Sequence, residues 1–230
     1  MPSTPTRRGR FITLEGPDGA GKSVQAVRLA AALRAGGQAV TLTREPGGTP
    51  LGERIRDVLL KGEEAPRTAQ SDALLFNAAR SQLVRDVILP AMERGETVIC
   101  DRFADSTVAY QGYGSGVDRD SLRQLERLAT GGLRPDVIIL LDVPVSVGLT
   151  RRAGGAPGEL TRFERSPHHD PSFHERVRRG YLALAAEDPD RWRVIDATAP
   201  PAVVAEEIAR TLEIDLVPSE PSAVAQRIRS

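Results

Sequence analysis

One segment of the sequence has the residue types and spacing of a phosphate-binding loop. Residues 16–23 match the pattern G-x-x-x-x-G-K-[ST] in full, between a predicted strand and a predicted helix. Small residues let backbone N–H groups surround phosphates, and the helix N-terminus adds the positive end of its dipole. Lys22 would reach the outer phosphates, and the Ser23 hydroxyl would bind Mg²⁺. The segment predicts a nucleoside triphosphate site formed by Gly16, Pro17, Asp18, Gly19, Ala20, Gly21, Lys22 and Ser23.

The composition strengthens this interpretation. The chain has 31 Lys and Arg residues, and all except Lys22 and Lys61 are arginine. One of the few lysines therefore falls where the motif needs a compact point charge and not a planar guanidinium. A glycine-rich turn that only begins a helix is the alternative.

Two acidic residues at strand ends compete as the outer partner of Mg²⁺. Asp101 ends one buried strand and is followed by Arg102, which is placed to meet an anion. Asp142 ends another strand, but Val143 and Pro144 follow it, so it reads more easily as the cap of the next helix. We therefore favour Asp101.

An aromatic residue and an arginine, Phe76 and Arg80, lie four residues apart in a predicted helix and share one face. This pair could stack on a base and hold its phosphate. The alternative is a phenylalanine in the core with an arginine that extends to solvent.

Strands and helices alternate along the chain, which predicts an α/β fold with a parallel sheet covered on both faces. The predicted strands are 11–15, 39–43, 97–100, 137–141 and 192–195. The predicted helices are 21–34, 51–60, 68–92 with a disturbance near Pro90, 105–110, 121–129, 173–186 and 200–212. We expect a flexible tail over 1–10, one domain over 11–212, and a second tail over 213–230.

The bulk composition excludes several classes of protein. The net charge is zero over 230 residues, which gives no electrostatic argument for a nucleic-acid or membrane partner. The purely apolar runs, such as 137–141, are far too short to span a bilayer, and no secretory signal is evident. The single cysteine, Cys100, fits a cytoplasmic protein and reads as a small buried hydrophobic residue. The spacing of His168, His169 and His174 matches no standard zinc site.

Several further motifs follow the phosphate-binding loop in a fixed order. They are Thr-Arg-Glu-Pro-Gly-Gly at 43–48, Phe-Asn-Ala-Ala-Arg at 76–80, Asp-Arg at 101–102 and Ser-Thr-Val-Ala-Tyr-Gln-Gly at 106–112. As a set, over about residues 10–212, they closely resemble the thymidylate kinase family. The resemblance implies a P-loop fold with three layers, a five-stranded parallel sheet, a mobile lid over about 151–167, and a homodimer.

The resemblance also implies the activity and the residue roles. The expected reaction transfers the γ-phosphoryl group of ATP to dTMP with Mg²⁺, giving dTDP and ADP for dTTP synthesis. Phe76 would stack on thymine with Arg80 towards the base edge, and Tyr110 would lie by the sugar. Gln111 and Ser106 would lie near the polar edge of the nucleotide, and Asp18 near the acceptor. Arg44 and Arg102 would hold the acceptor phosphate, whereas Glu45 would be structural or near the metal.

The acceptor is already anionic near neutral pH, because the second pKa of a phosphate monoester is about 6. No strong general base is therefore needed, and fixed positive charge must offset the repulsion between two polyanions. We expect Lys22, Arg102 and a lid arginine to supply it. The phosphate-binding loop contains no arginine, as in the variety of the family with a basic lid; the candidates are Arg151, Arg152, Arg162 and Arg165. Pro157 stands where that variety often has arginine, so the choice among them stays open.

Three rival functions remain at this point. A deoxynucleoside kinase would need a carboxylate base, for which Glu15 or Glu45 could serve. A monophosphate kinase for a different base is a second rival. A nucleotide switch is the third, although the chain lacks the Asn-Lys-x-Asp motif usual for guanine recognition.

Overall fold

The computed structural model describes residues 8–60, 67–154 and 171–214. The strands are β1 (Phe11–Glu15), β2 (Val40–Arg44), β3 (Thr97–Asp101), β4 (Val137–Asp142) and β5 (Trp192–Asp196). The helices are α1 (Lys22–Ala35), α2 (Pro50–Leu60), α3 (Ala69–Leu83), α4 (Leu89–Glu93), α5 (Ala104–Thr107), α6 (Arg119–Thr130), α7 (Val145–Ala153), α8 (Pro171–Glu187) and α9 (Pro201–Thr211). Two π-helical segments, Val84–Ile88 and Val108–Gly114, continue α3 and α5.

The strands form one parallel sheet in the order β2-β3-β1-β4-β5, which confirms the predicted fold class. β1 is central, so the loop after it lies between the carboxyl ends of β3 and β4. The register pairs Leu14 with Asp101 and Glu15 with Leu140. In open sheets of this kind, ligands bind outside the carboxyl ends of the strands. The topology therefore places the phosphate-binding loop at the expected ligand edge.

The sheet is covered on both faces by helices. Alternate residues of β1 enter different cores: Ile12 and Leu14 pack on the side of α1 and α9, and Phe11 packs on the side of the α3–α4 segment. A third cluster on that second side joins Ile138 and Leu140 of β4 to α8. The inner strands read as continuous apolar runs because both of their faces are buried.

The long helical stretch predicted for 68–92 is disturbed by a π-helical turn just before Pro90. The turn spans Val84–Ile88. Proline lacks an N–H group, and its ring crowds the carbonyl four residues earlier, which here belongs to Asp86. The wider π-helical turn leaves room for the proline ring beside that carbonyl, so the helical stretch continues to Glu93.

The ends of the described chain have defined contacts. Gly9 donates its backbone N–H to Met92 O at 2.8 Å, and Arg8 forms an ion pair with Asp136 at 2.7 Å. Within the described ranges, no helix is long and apolar enough to cross a bilayer. Most of both predicted tails and of the predicted lid, including Arg162 and Arg165, lies outside the described residues.

Candidate active site

The loop between β1 and α1 has the backbone geometry of an anion cradle. Gly16, Gly19 and Gly21 have positive φ angles of 140°, 76° and 90°, which L side chains rarely adopt. Lys22 folds back over the loop and donates from Nζ to Gly16 O at 3.0 Å and Pro17 O at 2.8 Å. Burial, and then the neighbouring charge of Arg102, lower the pKa of Lys22 to about 8. An amino group held over a glycine-rich loop at the N-terminus of α1 is suited to triphosphate binding.

A hydroxyl and a carboxylate meet beside this loop, since Ser23 Oγ donates a short hydrogen bond to Asp101 Oδ2. Both are hard oxygen ligands of the kind Mg²⁺ takes. In the described part of the chain, no cluster of three or more His, Cys, Asp or Glu side chains could hold a metal. Two protein oxygens still fit Mg²⁺, because this ion usually keeps water and substrate phosphates as its other ligands.

Asp142, the rival metal ligand, has a different role. Arg178 of α8 donates to both of its carboxylate oxygens, from Nε at 2.7 Å and from Nη2 at 2.8 Å. The prediction that Asp142 caps the next helix is wrong: Pro144 holds the N-cap of α7, without a capping side chain. Asp142 instead fixes α8 to the edge of the sheet through a bidentate pair.

A cavity of about 790 Å³ opens at the carboxyl edge of the sheet. It brings together nearly all the described side chains that the sequence singled out. The lining includes Asp18, Gly19, Ala20, Gly21, Lys22, Ser23, Arg44, Phe76, Arg80, Asp101, Arg102, Ser106, Tyr110, Gln111, Arg151 and Arg152. Two of the predicted site residues that the structure describes, Gly16 and Pro17, are not on the lining. Their carbonyls accept hydrogen bonds from Lys22 instead.

Phe76 and Arg80 do share one face of α3, but their environments differ from both sequence interpretations. The ring of Phe76 is half-buried in the cavity, whereas Arg80 is 1% exposed. Arg80 Nε donates to Glu45 Oε2 at 2.9 Å, and Nη1 donates to Asn77 Oδ1 at 2.9 Å. The arginine therefore belongs to the wall of the cavity, and the phenylalanine presents the stacking surface. Glu45 is structural in this arrangement.

Arg102 lies between the phosphate-binding loop and the acceptor end of the cavity. Its Nη2 donates to Asp18 Oδ1 at 2.5 Å and to the Tyr110 hydroxyl at 3.2 Å. Although burial works in the opposite direction, Arg102 and Lys22 hold the pKa of the Asp18 carboxyl below its usual value. Arg44, at the end of β2, is exposed and pairs with Glu53 at 3.1 Å. Both arginines line the space where an anionic acceptor would enter.

The lid arginines that the structure describes face different parts of the cavity. Arg151 donates to the carbonyls of Ala197 at 2.7 Å and Thr198 at 2.8 Å, so it is tied to the loop after β5. Arg152 lines the cavity and contributes to the lowered pKa of Asp18. Of the two described lid arginines, Arg152 is therefore the one whose charge acts on Asp18.

Sequence reasoning missed several cavity residues. The loop 197–201 lines the end opposite to Phe76, and its position after β5 at the carboxyl edge was the available signal. Arg56 of α2 also lines the cavity and donates to Pro46 O at 2.8 Å. Tyr181 of α8 contacts Arg102 at 3.1 Å, although 79 residues separate them, and no local pattern announces it.

Comparison with known proteins agrees with this geometry. The family model for thymidylate kinase matches residues 14–208. The chain belongs to the thymidylate kinase family. It is 55% identical over 202 residues to the thymidylate kinase of Thermomicrobium roseum, covering 88% of this chain and 93% of the relative. It is 52% identical over 193 residues to that of Deinococcus radiodurans, covering 84% and 91%.

A solved structure shows the same likeness. The crystal structure of thymidylate kinase from Ehrlichia chaffeensis has a TM-score of 0.71 with this chain at 35% identity, covering 89% of this chain and 99% of that chain. Thymidylate kinases are nucleoside monophosphate kinases that use ATP as phosphate donor with Mg²⁺. Membership in this family confirms the predicted activity and the predicted cofactors, ATP and Mg²⁺.

Proposed function

We propose that the chain transfers the γ-phosphoryl group of ATP to dTMP within the single cavity, with ATP at the phosphate-binding loop and dTMP at the Phe76 end. The observation that carries this assignment is the shared cavity of about 790 Å³, which is lined by an anion cradle, by the aromatic ring of Phe76 and by Arg102, which binds Asp18 of the cradle. The volume is in the range usual for ligand sites, and Lys22 and Arg102 both line the cavity.

The donor end is assigned to the phosphate-binding loop and to loop 197–201. Backbone N–H groups of the loop and Lys22 Nζ would hold the phosphates, and Ser23 with Asp101 would hold Mg²⁺. When bound, this ion neutralises charge on the phosphates. Loop 197–201, with Arg151 bonded to two of its carbonyls, would contact the base of the donor.

The acceptor end is assigned to Phe76, Arg80, Tyr110, Gln111 and Ser106. Phe76 would stack on the thymine ring, since base stacking on an aromatic side chain contributes about 1–3 kcal/mol. Arg80 and the buried Gln111 would face the edge of the base. Arg44 and Arg102 would hold the 5′-phosphate and orient it for in-line attack.

In catalysis, Lys22, Arg102 and Arg152 would surround the transferring group with fixed positive charge. Neither of the two carboxylates that the sequence offered as a general base, Glu15 and Glu45, is available to a neutral hydroxyl acceptor. Glu45 is engaged by Arg80, and Glu15 is fully buried beneath the cavity with three donors on it. This favours a phosphate acceptor over a nucleoside, because an anionic phosphate oxygen attacks without deprotonation.

An ADP-release assay with ATP and Mg²⁺ tests the proposal. We expect strong turnover with dTMP, much weaker turnover with dUMP, and none above background with thymidine or AMP. A preference for thymidine would require a carboxylate base and would contradict the acceptor assignment. Equal use of all monophosphates would contradict the role of Phe76, Arg80 and Gln111 in selecting the base.

We also propose a homodimer in the cytoplasm, without a nucleic-acid partner. α2, α3 and α6 pack side by side, and each leaves large apolar side chains exposed: Leu51, Val58, Leu74 and Leu128. Neighbouring exposed apolar side chains of this kind suit an interface between protomers. The single cysteine suits a reducing compartment, and the zero net charge gives no electrostatic argument for a nucleic-acid partner.

A further inference from the structure

Glu15, the last residue of β1, has a buried carboxylate that the proposed mechanism does not use. Its side chain is 0% exposed, and all its hydrogen-bond donors come from other elements. Oε1 accepts from the backbone N–H of Phe103 at 2.7 Å, and Oε2 accepts from Ser106 Oγ at 2.6 Å and from the Tyr181 hydroxyl at 3.2 Å. The carboxylate thus joins β1, the start of α5 and α8 at one point.

The Oε1 contact fixes the backbone next to Arg102. This arginine has a φ angle of 70°, in the left-handed region that side-chain-bearing residues rarely adopt. A residue in such a conformation persists only where its surroundings hold it. The N–H that Glu15 binds is that of Phe103, the next residue, so the bond restrains the strained turn directly.

The Oε2 contacts fix the guanidinium of the same arginine. Ser106 Oγ and the Tyr181 hydroxyl, which both bind Oε2, also accept from Arg102 Nη1 at 3.2 Å and 3.1 Å. These two hydroxyls lie 2.8 Å apart. One carboxylate therefore controls both ends of Arg102, although it does not contact the guanidinium itself in any hydrogen bond.

We propose that Glu15 is the positioning residue that holds Arg102 in the orientation that receives the acceptor phosphate. This inference rests on the proposed function, because it takes Arg102 as a ligand of that phosphate. Glu15 is then neither a general base nor a substrate contact. Its carboxylate acts on Arg102 through Ser106 and Tyr181.

The hydrogen count explains why the ionised carboxylate is needed. A hydroxyl has one hydrogen, so Ser106 can bind Glu15 as donor and Arg102 as acceptor only while Oε2 carries no proton. Burial raises the pKa of Glu15 to about 7, while Ser106, Arg102 and Lys22 act in the opposite direction. Asp105 and Tyr181 also face this carboxylate. A fall in pH through 7 therefore protonates Glu15 and removes the negative charge that orients the two hydroxyls towards Oε2.

The central test is the Glu15→Gln variant, which keeps the shape and removes the charge. We expect KM for dTMP to rise about tenfold or more and kcat to fall, with KM for ATP within about twofold of the native value. Tyr181→Phe, which removes one of the two hydroxyls, is expected to shift KM for dTMP in the same direction by about threefold. Thr13→Val is the matched control, since Thr13 is buried on the same strand and, within the described residues, its hydroxyl has no hydrogen-bond partner.

The pH profile and the melting temperature separate positioning from general support of the fold. KM for dTMP of the native enzyme should rise more between pH 8 and pH 6 than that of Glu15→Gln. Both proteins share the titration of the substrate phosphate near about pH 6, and only the native enzyme also loses the charge of Glu15. Because burial raises the pKa of Glu15 from 4.5 to about 7, stability is lost as the pH rises between these values, and ionised Glu15 opposes folding at pH 8. At pH 8 the variant should therefore melt no more than about 4 °C below the native protein.

A double-mutant cycle with Arg102→Lys decides the matter. If Glu15 acts through Arg102, adding Glu15→Gln to that background should change KM for dTMP by less than about twofold. Additive effects, or equal losses for ATP and dTMP, would overturn the positioning role and leave Glu15 as a structural residue. If Arg102→Lys alone leaves KM and kcat for dTMP unchanged, the assignment of Arg102 in the proposed function is wrong, and this inference fails with it.

Discussion

Arg80 and Glu45 form a buried ion pair at the end of the cavity that we assign to the base of the acceptor. The closest contact joins Arg80 Nη2 and Glu45 Oε2 at 2.7 Å, and both side chains are almost completely hidden. Arg80 also donates to Phe103 O at 3.2 Å and to Thr107 Oγ1 at 3.0 Å. Such a pair is stable only while both charges are present, because a lone buried charge has lost its water.

Glu45→Gln should therefore destabilise the protein strongly. We expect the free energy of unfolding to fall by about 3–5 kcal/mol, since Arg80 would remain buried without a counter-charge. Urea denaturation measures this change. Glu53→Gln is the matched control: its pair with Arg44 is exposed on both sides and should be worth less than about 1 kcal/mol. Equal effects of the two substitutions would contradict the structural role of Glu45.

Phe76→Ala should weaken the acceptor and spare the donor. Loss of a stacking surface worth about 1–3 kcal/mol predicts a rise in KM for dTMP of roughly 5- to 150-fold, with KM for ATP unchanged. Steady-state kinetics with each substrate varied in turn checks this. Ser81→Ala, at an exposed position of the same helix, should change neither constant. A parallel rise in KM for ATP would place Phe76 outside the acceptor site.

Among the elements, the phosphate-binding loop and α7 approach each other through two glycines. A Cβ on Gly148 would lie 2.4 Å from Asp18 O, and a Cβ on Gly19 would lie 2.1 Å from Gly148 O. Only glycine at both positions permits this backbone contact. The loop therefore takes its shape from α7 as well as from its own residues, and α7 also carries the arginines Arg151 and Arg152.

Gly148→Ala should consequently displace the loop. We expect kcat/KM for ATP to fall by about tenfold or more, because misplaced phosphate-binding groups lose catalytic orientation. Gly154→Ala, at the end of the same helix, is the control, since its added Cβ would meet nothing closer than 3.7 Å. Nucleotide titration and steady-state kinetics measure both variants. A fully active Gly148→Ala protein would show that the loop does not depend on α7.

At the scale of the whole molecule, the α2, α3 and α6 layer exposes four large apolar side chains, Leu51, Val58, Leu74 and Leu128. Leu128 of α6 is 82% exposed in the single chain, beside α3 with its exposed Leu74. Singly exposed apolar residues are ordinary on protein surfaces. Here they recur on three helices that pack together, which is why we assign this layer to the proposed dimer contact.

Leu128→Glu should shift the protein from dimer to monomer. A charge buried between two protomers loses its hydration without a partner, so association should weaken by at least about tenfold. Sedimentation velocity over a dilution series measures the dissociation. Val27→Glu, at an exposed position of α1 on the other side of the sheet, should leave the assembly unchanged. A native protein that is monomeric at all concentrations would contradict the dimer proposal.

The sequence determined the order and type of the elements, because alternation of apolar strands with amphipathic helices is local. It also determined the phosphate-binding loop, whose glycines and lysine lie in one continuous segment. The observed strands begin or end within one residue of those predicted. The sequence also located the disturbance of the long helical stretch near Pro90, and the structure shows that it is a π-helical turn at the preceding residues, Val84–Ile88.

Only the tertiary structure decided what each charged side chain does. The neighbours of Asp142 predict a helix cap, yet Arg178, 36 residues away, donates hydrogen bonds to both of its carboxylate oxygens. The local pattern around Arg80 allows a side chain that reaches solvent. In the structure its guanidinium binds Glu45 and is buried in the wall of the cavity. The hydrogen-bond donors of the Glu15 carboxylate are Phe103, Ser106 and Tyr181, all distant from it in the chain. Partners that are distant in the chain carry no local pattern, and the free energy of a buried charge depends on those partners.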